Sequence, residues 1–114
     1  MSPTPRQLGN AAEDRAVHLL LQHGYRILER NFRIRGGEID IIAADAGVVC
    51  FVEVRARKNA AYGRPEETIG PHKQRRLILA AQHWLARHRA GRCRFDAVVI
   101  CAGEIRLIKD AFRL

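Results

Sequence analysis

Apolar residues recur at helical spacing in two segments of the chain. In residues 6–23, one face of a helix would carry Leu8, Ala12, Ala16, Leu19 and Leu20. In residues 71–90, one side would carry Leu77, Ala81, Trp84, Leu85 and His88. Pro71 suits the first position of a helix, and Gly24 and Gly91 suit positions that end one. The pattern predicts two amphipathic helices, each of which needs a second layer to cover its apolar face.

Five further segments are short, rich in apolar residues and bounded by turn residues, which is typical of strands. They are residues 25–32, 38–44, 48–55, 94–101 and 105–112, and the polar residues 56–70 are expected to form a loop. A chain of 114 residues fits one compact domain, residues 1–114. The order α-β-β-β-α-β-β predicts an α/β fold in which a mixed sheet is flanked by two helices.

The hairpin of residues 38–44 and 48–55 is strongly hydrophobic, yet it contains charges. The charged positions are Glu38, Asp40, Glu53 and Arg55. Side chains alternate between the two faces of a strand, so the residues of opposite parity are expected to form one buried face. These are Ile39, Ile41, Val52 and Val54. Charges on a sheet that is also apolar need partners, because burying a lone charge is costly.

The turn at residues 46–47 determines how these charges meet. If it is a two-residue loop, the commonest hairpin connection, Asp40 faces Glu53. In the same register, Glu38 faces Arg55. Two carboxylates with Cβ atoms about 5 Å apart repel each other, and a hard divalent cation held by both would turn that repulsion into attraction. The alternative is a solvated sheet face on which Glu38 and Arg55 form a salt bridge.

Charge narrows the class of partner. The chain has 20 Lys+Arg against 12 Asp+Glu, a formal net charge of +8 and a pI of about 10.4. Most of the cations are arginines, which suit bidentate phosphate contacts, so nucleic acid is the expected partner. A merely basic surface, or one that contacts acidic protein or lipid, is the alternative. The sequence has no zinc motif, Walker loop, dinucleotide-binding glycine motif or nucleophile elbow.

The sequence also indicates a location. No apolar run approaches the roughly 20 residues of a membrane helix, and residues 1–15 have no apolar signal core. The three cysteines lack metal-binding or redox spacing and are expected to be buried, reduced thiols. A cytoplasmic protein that does not associate with membranes is therefore expected.

Four segments carry a resemblance to a known family. They are "GNAAEDRAVHLLLQHGYRILERNFR", "GEIDIIA", "FVEVRAR" and "YGRPEETIGPHKQRRL". On these segments the chain resembles the YraN-like family of bacterial proteins, and through it the archaeal Holliday-junction resolvases and the restriction-endonuclease-like superfamily. The resemblance implies a restriction-endonuclease-like sandwich, Mg²⁺- or Mn²⁺-dependent phosphodiester cleavage in structured DNA or RNA, and a homodimer.

The same resemblance assigns site residues by position. In the superfamily, a strand Asp and a Glu-x-Lys motif on the next strand hold Mg²⁺, which makes Asp40 and Glu53 the expected metal ligands. The backbone carbonyl of Val54 would also contribute. Glu13 would complete the metal site, although the helix pattern alone makes it a solvent-facing residue. Gln74 would border the site.

Arg55 departs from the superfamily pattern, because it stands where the motif has lysine. Arginine stays protonated and cannot act as a general base, but it can stabilise charge that develops in a transition state. The resemblance therefore keeps Arg55 as a catalytic candidate beside Asp40 and Glu53. The alternative is that its guanidinium binds Glu38 or Glu53 and fills the metal position.

A second group of residues is expected to bind the nucleic acid. It consists of Arg57, Lys58, Tyr62, Lys73, Gln74 and Arg76, on the loop and at the start of the second helix. The cations would contact phosphates, and Tyr62 would stack on a base or sugar. The alternative is a flexible charged loop followed by a helix with a solvated basic face.

Three functions are open on the sequence alone. The first is a nucleic-acid-binding protein of nuclease-like fold that acts as a Mg²⁺-dependent phosphodiesterase. The second keeps the fold and the binding of nucleic acid but, with Arg55 in place of lysine, not the chemistry. The third is a protein-interaction module, in which an exposed strand edge pairs with a partner.

Overall fold

The computed structural model describes residues 5–57 and 69–113, with side chains from residue 11 onward in the first helix. The elements are helix α1 (Pro5–Gln22), strands β1 (Arg26–Ile34), β2 (Gly37–Asp45) and β3 (Val48–Arg57), helix α2 (Pro71–Leu85), and strands β4 (Arg92–Cys101) and β5 (Glu104–Phe112). The predicted order of elements is confirmed. Neither described helix is long and apolar enough to cross a membrane.

The five strands form one mixed sheet in the order β1-β2-β3-β4-β5. Strands β3 and β4 run parallel, and the other neighbouring pairs are antiparallel. A parallel pair needs a crossover connection, and α2 lies in the segment between β3 and β4 that provides it. The predicted mixed sheet with two helices is confirmed.

The two helices cover opposite faces of the sheet. The α1 cluster contains Ala16, Leu20, Tyr25, Ile41, Ala43, Cys50, Val52, Val98 and Ile100. The α2 cluster contains Ile39, Ile42, Phe51, Ile69, Leu77, Ala80, Ala81, Trp84, Phe95 and Ala97. The central strands β3 and β4 contribute to both clusters, which explains why their sequences are apolar almost without interruption.

The β2–β3 turn has the predicted geometry. Ala46 and Gly47 have φ values of 49° and 85°, as a two-residue hairpin loop with two left-handed positions requires. The strands pair from Asp45 opposite Val48 to Ile41 opposite Val52. The predicted register is therefore confirmed over this stretch.

The prediction that Ile39 and Ile41 share a buried face is wrong. Ile39 belongs to the α2 cluster and Ile41 to the α1 cluster. The neighbouring strand changes face at the same level, because Arg30 binds an aspartate of α1 whereas Phe32 packs on the α2 cluster. Between those two residues, Asn31 has φ 55°, and a left-handed residue interrupts the regular alternation of a strand.

Helix α2 ends at Leu85, five residues before the predicted end at residue 90. The chain tightens there into bonds three residues apart, from the Arg87 N–H to the Trp84 carbonyl and from the His88 N–H to the Leu85 carbonyl. The His88 ring also donates from Nδ1 to the Trp84 carbonyl at 2.8 Å. The Trp84 carbonyl, which a longer helix would have paired with the N–H four residues later, thus accepts from one backbone group and one side chain.

The cysteines are free thiols, but the prediction that all three are buried is wrong. Cys50 is buried in the middle of β3, whereas Cys93 is exposed. Cys101 is half-buried. The reason is position, because Cys93 and Cys101 lie near the two ends of β4, beyond its fully covered residues.

A polar network joins the strands on the α1 side. Asp96 is fully buried and accepts hydrogen bonds from Tyr25 Oη at 2.8 Å, Arg94 Nε at 2.9 Å and the Asp110 backbone N–H at 2.9 Å. Arg94 also donates to Asp45 at 2.6 Å. Because the buried carboxylate has several donors, this network is a structural tie between β2, β4 and β5.

We expect the Gly37→Ala variant to be less stable than the natural protein by about 1–3 kcal/mol. A Cβ at Gly37 would lie 2.5 Å from the Arg76 carbonyl oxygen and 3.1 Å from the Ala80 nitrogen, so α2 would have to move off β2. Denaturant unfolding measures the change. Gly91→Ala is the control, because a Cβ there meets no atom within 4 Å. Equal losses in the two variants would contradict the close approach of α2 to β2.

Candidate metal and phosphate site

Strands β2 and β3 part at Asp40. Their pairing ends at Ile41–Val52, and beyond it the Asp40 side chain, through Oδ2, accepts the Val54 N–H at 2.9 Å. The N–H and C=O of one strand residue point to the same side, so the Val54 carbonyl faces this gap as well. The Asp40 carboxylate therefore lies where the two strands part, bound to the backbone of Val54.

Glu53 is buried beside Asp40, with only 3% of its surface exposed. Burial raises the pKa of Glu53 to about 8, and the negative charge of Asp40 adds to the rise while Lys73 opposes it. Burial also raises the pKa of Asp40, although the hydrogen bond from the Val54 N–H acts in the opposite direction and lowers it. Among the described residues, no group donates a hydrogen bond to Glu53 Oε2. The two carboxylates thus share a poorly solvated site with one oxygen left without a donor.

Lys73 lies among these carboxylates, although the sequence suggested only a phosphate contact for it. Its Nζ is 3.4 Å from Glu53 Oε1 and 3.4 Å from Glu38 Oε1. Helix α2 brings Lys73 there because Gly37 allows that helix to approach β2. Glu38 and Lys73 are 35 residues apart, and no local pattern in the sequence signals the contact.

Arg55 also contacts Glu53. Its Nη1 lies 3.9 Å from Glu53 Oε1, the oxygen that Lys73 approaches. The predicted partner of Arg55, Glu38, forms ion pairs with Lys73 at 3.4 Å and with Arg33 at 3.8 Å. Both cations therefore approach the same oxygen of Glu53, and Oε2 has no hydrogen-bond donor among the described residues.

Glu13 is half-buried on α1 and within electrostatic range of the gap. Burial raises its pKa, and so does the charge of Asp40. With its amide oriented so that nitrogen faces the carboxylate, Asn31 donates to the two Glu13 oxygens at 3.0 and 3.2 Å; the opposite orientation would face oxygen to oxygen. Asn31 is the residue with φ 55°, so local backbone strain positions this contact.

The acidic residues do not form a three-ligand cluster. Across residues 5–57 and 69–113, no group of three or more His, Cys, Asp or Glu side chains is placed to hold one metal ion. Asp40 and Glu53 come together as a pair, and Glu13 acts on them through its charge. The structure thus brings two of the three predicted metal ligands into one site.

The other predicted contact residues differ in position. Gln74 donates from Nε2 to the Ile69 carbonyl at 2.8 Å, so its amide helps to begin α2. Arg57 and Arg76 are half-buried, on β3 and α2. Lys58 and Tyr62 lie outside the described residues.

A family model and the similar proteins agree on the family to which this chain is similar. A family model described as the uncharacterised protein family UPF0102 matches residues 12–100. A UPF0102 protein of Halorhodospira halophila is 49% identical over 96% of this chain and 89% of the relative. UPF0102 proteins of Dechloromonas aromatica and Chlorobium phaeobacteroides are 48% and 44% identical, over 91% and 96% of this chain and 87% and 92% of the relatives.

We expect the Glu53→Gln variant to be more stable than the natural protein at high pH, but not at low pH, when divalent cations are removed. The raised pKa stabilises the folded state fully below the ordinary value of 4.5, and this stabilisation is lost as the pH rises toward about 8. Glutamine resembles the protonated carboxyl and has no such loss. Each pH unit of that window corresponds to about 1.4 kcal/mol, so the difference should reach on the order of a few kcal/mol.

Denaturant unfolding in a chelating buffer at about pH 5, 7 and 9 measures this difference. The control is Glu104→Gln, which neutralises an exposed glutamate at the start of β5 and should leave the pH profile unchanged. Parallel profiles for the natural protein and Glu53→Gln would show that Glu53 is not protonated in the folded state near neutral pH.

Proposed function

The chain belongs to the uncharacterised protein family UPF0102, and we propose that it is a metal-dependent phosphodiesterase that cleaves structured DNA or RNA. In this proposal the fold is restriction-endonuclease-like, and β2, β3 and α2 supply the working groups. The observation that carries the proposal is the buried Glu53 Oε2, which lies beside a second carboxylate and has no donor among the described residues. With its pKa of about 8, this carboxyl holds a proton at neutral pH, and a divalent cation that displaces the proton would satisfy both carboxylates.

The available donors suit a hard divalent ion. Mg²⁺ binds oxygen ligands, often one or two carboxylates, and keeps several waters, so it does not need three carboxylates from the protein. Asp40 and Glu53 provide two carboxylates, and the backbone of Val54, bound to Asp40 through its N–H, would bring its carbonyl to the same side of β3. Mn²⁺ accepts the same ligands.

The electrostatics of the two buried carboxylates favour the same conclusion. Lys73, Arg55 and Arg33 contact Glu38 and Glu53, so the cations around the gap match its three carboxylates in number. Burial nevertheless raises the pKa values of Asp40 and Glu53, and the charge of Asp40 adds to the rise at Glu53. A divalent cation held by both carboxylates would offset that repulsion.

The residues around the gap have separate roles in the proposed reaction. A divalent ion held there would polarise a phosphoryl oxygen and lower the pKa of a coordinated water. Lys73 supplies, from α2, the positive charge that the superfamily motif places on the strand. Arg55 keeps its proton and stabilises the extra negative charge of the phosphorane.

The surroundings of the site favour a phosphate-bearing polymer as substrate. Arg76 lies three residues after Lys73 and so on the same side of α2, and Arg33 lies beside Glu38. These cations flank an acidic gap in a chain with a net charge of +8. A basic surface around a cation-binding gap suits a nucleic-acid backbone, which needs positive charge along its path.

One observation favours a second function, a nucleic-acid-binding module without catalysis. Arg55 occupies the position at which the superfamily motif has lysine. If Lys73 does not replace that lysine in the reaction, the site still attracts phosphates but does not cleave. The two functions differ in their dependence on divalent metal.

We expect the purified protein to cleave branched, flapped or single-stranded DNA or RNA when Mg²⁺ or Mn²⁺ is added, and not in a chelating buffer. Asp40→Asn and Glu53→Gln should each lower the rate by at least about 100-fold, because each removes a negatively charged metal ligand. Gel-based cleavage of labelled substrates measures the rate. Both variants should also lose Mn²⁺ binding, followed by electron paramagnetic resonance.

The control for this experiment is Asp14→Asn. It removes an exposed carboxylate of α1, which binds Arg30 of β1. It should cleave and bind Mn²⁺ like the natural protein. Cleavage that survives in both Asp40→Asn and Glu53→Gln would refute the assignment of the site.

We expect Lys73→Met to lower the cleavage rate by about 100- to 1,000-fold while Mn²⁺ binding is kept or tightened. The reason is that Lys73 supplies transition-state charge but also competes with a cation for Glu53 Oε1. Arg55→Lys distinguishes the second function. If the natural protein binds nucleic acid without cleaving it and Arg55→Lys cleaves, the site is a degenerate one.

A further inference from the structure

A second basic site lies at the opposite end of α2 from Lys73. It is a groove of about 650 Å³ between the end of α2, strand β1 and the β2–β3 turn. The lining residues used below are Arg26, Glu29, Trp84, Arg87, His88 and Arg89. Leu85 lies twelve residues after Lys73, which at 1.5 Å per residue puts the groove about 18 Å along α2 from the gap at Asp40. Its volume is in the usual range for small-molecule sites.

An ordered aromatic pair forms one wall of the groove. The rings of Trp84 and His88 stack with centroids 3.8 Å apart and an interplanar angle of 7°. Trp84 is 5% exposed and is fixed by its indole N–H, which donates to Glu29 Oε1 at 3.3 Å. His88 is exposed and is fixed by its bond to the Trp84 carbonyl. One face of the imidazole is therefore covered by Trp84, and the other is turned away from the protein core.

The charges of the groove are divided between rim and floor. Arg26, Arg87 and Arg89 are exposed and surround the opening. Glu29 is the half-buried carboxylate of the floor, where Trp84 already uses one of its oxygens. A simple anion would be attracted by the three arginines at the rim but repelled by the carboxylate of Glu29. A ligand that is anionic outside and carries an amino group inside matches both parts.

We propose that this groove binds a nucleotide of a single-stranded nucleic acid, with the base stacked on His88 and the flanking phosphates on the rim arginines. Glu29 then accepts a hydrogen bond from an exocyclic amino group of the base, as carboxylates do from cytosine. The choice of nucleic acid as ligand class rests on the proposed function, but the groove needs neither a metal ion nor cleavage.

Fluorescence anisotropy of the full chain tests this proposal in a chelating buffer with labelled single-stranded oligonucleotides. We expect His88→Ala to weaken binding by about 5- to 150-fold, because a stacked base is lost, and His88→Phe to restore it. The matched control is His83→Ala, an exposed histidine in the last turn of α2 that does not line the groove. An oligonucleotide of abasic sites should bind the natural protein about as weakly as the normal oligonucleotide binds His88→Ala.

The rim is tested through salt dependence. The double variant Arg87→Ala/Arg89→Ala should reduce the slope of log K against log salt by about 1.4, since each phosphate contact on a single strand contributes about 0.7. Arg15→Ala, on α1 at the other face of the sheet, is the charge control and should change the slope by at most about half as much. Thermal melting of every variant verifies that it is folded.

Three results would overturn the proposal. The first is that the natural protein does not bind the oligonucleotide, and the second is that His88→Ala and His83→Ala lose the same affinity. The third is equal affinity of the natural protein for the abasic and normal oligonucleotides, which would show that the surface binds phosphates only. Failure of the proposed cleavage can be distinguished from failure of the groove proposal, because Asp40→Asn should lose cleavage and keep this metal-free binding. If the protein never cleaves but binds nucleic acid through His88, the proposal that the groove binds a nucleotide is still supported.

Discussion

The site depends on one hydrogen bond, from the Val54 N–H to the Asp40 carboxylate. Two antiparallel strands that part inside a protein leave backbone groups unpaired, and a buried N–H without a partner is costly. Asp40 replaces the missing backbone acceptor with a side-chain oxygen. The hairpin therefore remains joined while it opens, and the same bond fixes a carboxylate in the opening.

The opening is electrostatically unfavourable for the protein alone. Asp40 and Glu53 are both shielded from water, and both have raised pKa values for that reason. Apolar residues at these positions would fold more easily, since buried charges rarely add stability. Gly37 lets α2 bring Lys73 close enough to offset part of the repulsion. Perturbed carboxyl groups with one opposing lysine are typical of functional sites rather than of structural ion pairs.

The sequence predicted features that depend on neighbouring residues. The two-residue loop at Ala46 and Gly47 fixes the register of the hairpin as far as Ile41 and Val52, next to Asp40 and Glu53. The change of face near Asn31 could not be predicted, because asparagine adopts a left-handed conformation in only some contexts. Lys73 was placed on the correct helix, but its contact with Glu38 and Glu53 arises from the packing of α2 on β2. The end of α2 at Leu85 is accompanied by a side-chain bond from His88 to the Trp84 carbonyl, which a hydrophobic periodicity does not indicate.

The position of Arg55 bears on whether the gap is a cation site or a degenerate pocket filled by a guanidinium. A guanidinium that replaced a metal ion would be expected to bind both carboxylate oxygens, in the bidentate geometry that makes arginine–carboxylate pairs strong. Arg55 approaches Oε1 of Glu53 at 3.9 Å, beyond hydrogen-bond distance, and Lys73 approaches the same oxygen at 3.4 Å. The other oxygen, Oε2, is buried and has no hydrogen-bond donor among the residues that the structure describes. Because no guanidinium bond reaches Oε2, the arrangement favours a carboxylate that holds a proton, or a cation that displaces the proton, over one that arginine has neutralised on both oxygens.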